Sequence, residues 1–130
     1  MADITSSTRT FLLEDDGISS AFGERIYVLK APDTETYPFA IIRVVTDQPS
    51  YTQDGETLRQ TILHIDTYDS ELSDCITNAK LIRAKLNGYK GLMGSIEVGA
   101  IFVRDGTQEW SPDVRRFKMF NQYDIKWTVQ

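Results

Sequence analysis

The chain has little with which to do metal or thiol chemistry, holding one cysteine and one histidine in 130 residues. Cys75 has no second thiol for an internal disulfide, and a lone thiol suits a reducing compartment. Zinc sites draw on several Cys and His ligands, so His64 and Cys75 together predict no metal. The acidic run Glu14, Asp15, Asp16 lacks the alternating oxygen ligands of a calcium loop. No apolar run reaches about 18 residues, so no segment is expected to cross a bilayer. The opening MADITSSTRTFLLEDDG has neither the basic start nor the uninterrupted apolar middle of a secretory signal, which points to a product that stays in the cytoplasm where it is made. Cations are outnumbered, 14 Lys and Arg against 19 Asp and Glu, for a net charge of -5. A chain of that sign is not built to grip phosphate backbones, although DNA could slide past it without being trapped.

What is present is ordinary for one soluble globular domain: 41% hydrophobic and 25% charged residues. A chain of this length removes roughly two thirds of its unfolded surface from water and needs no covalent staple. No repeat, low-complexity tract or linker interrupts it, so residues 1–130 read as a single domain.

The spacing predicts a short helix over about 6–14, capped by Ser6 or Ser7, with Phe11 and Leu12 facing inward. GISSAFG reads as a glycine-bounded turn or half-turn of helix, RIYVL as a short strand and KAPDTETYP as a loop. FAIIRVVTD, between Pro38 and Pro49, is a strand whose continuous apolarity predicts cover on both faces. A hairpin turn around Asp54 and Gly55 returns the chain along a strand from about Thr57 to Tyr68. Leu72, Cys75, Ile76, Ala79, Ile82 and Leu86 recur at three and four residues and mark one stripe of a helix. Asp69 or Ser70 caps its start, Glu71 and Asp74 suit its positive end, Arg83 and Lys85 its negative end, and Gly88 its left-handed exit. YKGLMG is a connector, because its glycines follow a helix and precede a strand, the reverse of a phosphate-cradling loop.

SIEVGAIFVRD predicts a strand with Ile96, Val98, Ala100 and Phe102 on one side, and RDGTQEWSPD a loop that holds Trp110. The last strand alternates, with Phe117, Met119, Asn121, Tyr123, Ile125, Trp127 and Val129 on one side. A slip of one residue would turn Phe117, Ile125 and Trp127 into water, so the pattern sets the register against the 95–103 strand. The sum is an α+β fold: an antiparallel sheet of about four long strands, with one amphipathic helix and a short N-terminal helix on one face.

His64 and Asp66, two apart on one strand, share a face and have the composition of a base and its orienter. No G-x-S-x-G nucleophile accompanies them, and a cross-strand polar pair on a solvated or interface face is the preferred reading. Cys75 on the apolar stripe reads as a small buried hydrophobe. Arg104, Arg115, Arg116 and Lys118 alternate with Asp105, Glu109 and Asp113, the mixed signs of a solvated face or of links between subunits.

Three segments in succession carry a resemblance: ERIYVLKAPDTETYPFAIIRVV, then HIDTYDSELSDCITNAKLIRAKLNGYKG, then RDGTQEWSPDVRRFKMFNQYDIKW. Over about residues 10–128 the chain resembles the tail-completion proteins of long-tailed bacteriophages. The resemblance implies a virion component of the head-tail junction, made in the host cytoplasm. Such a tail terminator forms a ring, typically sixfold, that caps the last ring of tail-tube protein and presents a surface to the head connector. DNA passes through it without specific binding, and it has no catalytic residues and no cofactor. What carries over is regions: the first hairpin tip with Tyr51, Gln53, Asp54 and Glu56, the second hairpin with Arg104, Asp105, Glu109, Trp110, Asp113, Arg115 and Arg116, and the edges of the sheet. Trp110 serves either as an anchor for a neighbour or as a lid folded over its own domain. The competing readings are a tail-tube or connector component, and a small cytoplasmic enzyme or ligand-binding domain using His64 and Asp66.

Overall fold

The computed structural model describes residues 4–31, 36–52, 55–112 and 116–129. In chain order the elements are α1 (Ile4–Leu13), α2 (Asp16–Phe22), β1 (Ile26–Val28), β2 (Phe39–Thr52), β3 (Gly55–Asp69), α3 (Leu72–Leu86), β4 (Gly91–Met93), β5 (Ile96–Ser111) and β6 (Arg116–Val129). The strands form one sheet of six in the order β1-β2-β3-β6-β5-β4. β1 lies parallel to β2, and the other neighbours are antiparallel. The fold is α+β as expected, but the sheet is mixed and larger than four antiparallel strands. Both additions are three-residue strands; β1 is the short strand expected at RIYVL, here joined to the sheet, while β4 is too short to show a hydrophobic period. One of them, β4, occupies the stretch that reads as a connector.

The three helices share one core with one face of the sheet. Phe11, Leu12, Ile18, Phe22, Ile82 and Leu86 meet Leu63, Ile65, Val98, Ile101, Tyr123, Ile125 and Trp127 there. Period-two alternation holds along β3 and β6: Thr61, Leu63, Ile65 and Thr67 are buried, as are Asn121, Tyr123, Ile125 and Trp127. β6 pairs with β5 as its pattern requires, and also with β3, which makes the terminal strand central. That position accounts for its apolar stripe and its length.

Local chemistry sets several element ends. Asp15 accepts a hydrogen bond from the Ile18 amide at 3.0 Å, and this N-cap turns the glycine-bounded segment into a helix, α2. α1 starts at Ile4, ahead of the serines expected to cap it. α3 starts after Glu71, whose side chain makes no capping bond. Asp69 instead accepts from the Ser70 amide at 2.7 Å and the Glu71 amide at 3.3 Å, tightening the turn into the helix. Cys75, Ala79, Ile82 and Leu86 form the buried stripe of α3, flanked by half-buried Leu72 and Ile76. Gly88 takes φ 79° just past it, the left-handed exit that glycine permits.

Two expectations of inward burial fail. Along β2, Ala40 and Ile42 are buried, yet Val44 and Val45 are 42% and 46% exposed, because the strand continues beyond the helices and through a bulge between Val44 and Thr46. Cover on both faces is therefore confined to the start of the strand. In β5 a bulge between Val98 and Ala100 inserts one residue and reverses the alternation, so Ile101 turns inward and Phe102 is 57% exposed.

The Cys75 thiol is buried and lies 3.3 Å from the Thr67 carbonyl, and burial pushes it from an ordinary 9.0 up to about 11. Tyr68 and Tyr123 are pushed up for the same first reason. In each case the folded protein keeps a proton that the unfolded chain releases, so the Cys75 contribution is intact below pH 9.0 and is lost as pH rises through about 11, and the tyrosines add to the decline only above 10.0. Denaturant midpoints measured at pH 8 and pH 10.5 should differ in that direction. Native Cys75 should also resist a thiol reagent at pH 8 until the chain unfolds.

Candidate interaction surfaces

The sheet face away from the helices carries a network of charge. Alternation puts Ile62, His64, Asp66 and Tyr68 of β3 there, opposite Arg43 and Ile41 of β2 and Lys118, Phe120, Gln122 and Asp124 of β6. Asp66 is buried, and its Oδ2 lies 3.7 Å from Arg43 Nε and 3.7 Å from Lys118 Nζ. Lys118 Nζ is also 3.7 Å from Glu109. Asp124, buried as well, pairs with Arg104 Nε at 2.7 Å. The second oxygen of each aspartate has no hydrogen-bond partner among the described residues.

His64 and Asp66 share this face but not a hydrogen bond. Arg43 Nη2 lies 3.2 Å from His64 Nδ1, and Gln122 Oε1 lies 3.1 Å from Nε2. Arginine can only donate, so the network assigns the tautomer with the proton on Nε2, donating to Gln122. The imidazole is further packed at 4.7 Å against the ring of Phe120. Both residues serve cross-strand contacts: the ring links β2, β3 and β6, and the carboxylate is held between two cations.

Sequence reasoning missed an aromatic stack at one end of this face. Phe39 is 1% exposed although it points away from the helices, because other side chains cover it. Tyr37 stacks on it at 5.7 Å and Tyr68, its cross-strand partner, at 4.7 Å. The Arg116 guanidinium lies 4.5 Å from the Tyr68 ring centroid and 5.7 Å from that of Phe39. Tyr37, two residues before β2, was the available signal, but only the β2–β3 register brings Tyr68 to Phe39. Beside the stack a cleft of about 290 Å³ is lined by Tyr68, Glu109, Trp110, Pro112, Arg116 and Lys118.

The hairpin candidates separate in space. β3 begins beside the first tip at Gly55 and ends at Asp69, which pairs with Phe117 beside the second tip. The tips therefore stand at opposite ends of the sheet, a strand length of roughly 50 Å apart at about 3.3 Å per residue. Tyr51 and Glu56 pair in the ladder at the first tip. Glu109, Trp110 and Arg116 lie toward the second, where β5 continues to Ser111 and no long loop forms. Trp110 therefore sits on a strand opposite Phe117, its ring 4.5 Å from that partner and 49% exposed. One side of the indole is folded back and the other is open. Arg104 and Asp105 fall at a bulge inside β5, between Val103 and Gly106, and not at the tip. Gln53, Asp54, Asp113 and Arg115 lie outside the described residues.

The margins of the sheet hold the exposed large apolar side chains among the described residues. Val28, Leu29, Val44 and Val45 lie along β1 and β2, and Leu92, Phe102 and Trp110 along β4 and β5. Backbone is open there too. β1 covers β2 only at Ala40–Ile42, and β4 covers β5 only at Ile96–Val98. The Gly88 amide donates to Ile101 at 2.9 Å and the Val103 amide to Asn87 Oδ1 at 3.3 Å, and from residue 104 onward no described residue pairs with the outer margin of β5. Among the described residues no cluster of His, Cys, Asp and Glu suits a metal ion, and no helix is long and apolar enough to cross a membrane.

No family model and no curated protein matches this sequence. The fold does have a solved counterpart, a chain of the virion of a native gene transfer agent particle. The two are 8% identical, with a TM-score of 0.70, over 96% of this chain and 94% of that one. At this identity the likeness is one of fold, and it runs from end to end of both chains.

Proposed function

We propose that this chain is a structural protein of a phage-like virion, a ring-forming subunit of the head-tail junction that ends the tail tube and meets the head connector. The observation that carries this reading is the end-to-end match of its fold to a chain of a gene transfer agent virion. The margins supply a physical reason for self-association. Each has exposed apolar side chains and unpaired backbone, and a sheet with two such margins either blunts them or covers them with a neighbour. The margins are different patches, so their contact is heterologous and closes into a ring when the rotation between copies permits. A net charge of -5 suits a passage for DNA that must not be held.

Particles made without the protein are expected to show tails of irregular length and unattached heads. Finished tails of normal length joined to heads in its absence would overturn the reading. Electron microscopy of the purified protein separates it from a tail-tube component, which gives long tubes where a terminator gives bounded rings. The reading that uses His64 and Asp66 in catalysis has its own test. His64→Gln keeps a neutral side chain that can bond to Arg43 and Gln122, and it should leave ring formation and particle yield unchanged.

A further inference from the structure

The bare stretches on the two margins are fenced by the same devices. On β2, Thr46–Gln48 lies between the bulge at Val44/Thr46 and Pro49. On β5, Gly106–Ser111 lies between the bulge at Val103/Gly106 and Pro112. Past the bulge on each strand the margin is already occupied, by β1 on one side and by Asn87, Gly88 and β4 on the other. A bulge and a proline each interrupt a ladder, so pairing along either margin is restricted to one short window. Directions also match. β2 opposes β3, β3 opposes β6 and β6 opposes β5, so β2 and β5 run in opposite senses. A second copy rotated into place beside the first presents its β2 antiparallel to this β5. The bulge end of one window then meets the proline end of the other.

We infer that these windows pair with each other between copies of the chain, the β5 margin of one subunit receiving the β2 margin of the next. This apposition brings Val44 and Val45, exposed at the bulge end of β2, beside half-exposed Trp110 at the proline end of β5. It satisfies backbone groups that water otherwise holds, and it leaves β1 and β4 as stops above and below the joint. The windows are not level within one subunit. Asp47 aligns through Thr61 and Ile125 with Ile101, about eight residues along β5 from Glu109. Successive copies are thus staggered by roughly 26 Å. Strands tilted to the assembly axis absorb such a stagger and close, as in a barrel. Untilted strands would instead build an open helix.

The inference rests on the self-association in the proposed function, and its test reads the joint without reference to particles. Cys75 is buried, so engineered thiols report alone. In the full chain, Gln48→Cys is combined in turn with Thr107→Cys, Gln108→Cys and Glu109→Cys, oxidised mildly and run on a denaturing gel. At least one pair should give a covalent ladder beyond the dimer, because every copy carries both halves, while each single variant stops at the dimer. Hydrogen exchange should slow at 46–48 and 107–111 when unmodified protein is concentrated. Oligomers that form while every pair fails to ladder, or a chain that stays monomeric at all concentrations, would overturn the inference. A ladder from protein whose absence leaves finished, joined particles would uphold the joint and end the head-tail reading.

Discussion

Trp127→Ala is expected to lower the free energy of unfolding by about 3–5 kcal/mol, the range for a large aromatic removed from a packed core. Trp127 is 4% exposed and sits on β6 between Arg59 of β3 and Val98 of β5. Its indole N–H donates to Thr61 Oγ1 at 2.9 Å, and the Arg59 guanidinium lies 6.0 Å from its ring. Alanine leaves a void that the two flanking strands cannot close, since each is held by its own ladder. Trp127→Phe separates the parts. It keeps most of the ring and loses the donor, while Thr61 Oγ1 still donates to Asp47 at 2.9 Å, so its cost should be nearer about 1 kcal/mol. Urea denaturation reads both variants. A loss below about 1 kcal/mol for the alanine variant would mean that the register placing this side chain inside is wrong.

The second large effect is expected at the other tryptophan, on association and not on folding. Trp110 is 49% exposed on the bare margin of β5, and within its own chain it gains a ring contact with Phe117. That contact is of a kind worth about 0.5–1.5 kcal/mol, so Trp110→Ala should move the unfolding midpoint only slightly. Tryptophan is enriched among the contact residues whose truncation costs about 2 kcal/mol or more, a loss of roughly 30-fold in affinity at each joint. Sedimentation measured across a concentration series should show the variant folded and shifted toward monomer. Equal damage to folding from both tryptophan replacements would remove the distinction between them.

Several features were legible because they are local. The stripe on α3, the left-handed exit at Gly88 and the alternation of β6 each follow from residues within a few positions of one another. The same is true of the buried Cys75 and of the shared face of His64 and Asp66. Other features depend on residues far apart in the chain. Phe39 is buried only because β3 brings Tyr68 to it and β6 brings Arg116. Phe102 faces outward because one inserted residue in β5 reverses an alternation that reads as regular. Val44 and Val45 stand exposed because β2 runs past the helices, a length that no apolar count contains.

The sequence by itself determined which face of α3 and of β6 turns inward, since burial of an apolar stripe is favourable in any arrangement that offers a core. Tertiary structure decided which strands are neighbours and where the sheet stops, because pairing depends on loop closure and on bulges between distant segments. The proposed contacts with other copies lie at those stopping places. Which strands form those edges was visible only once the order β1-β2-β3-β6-β5-β4 was known.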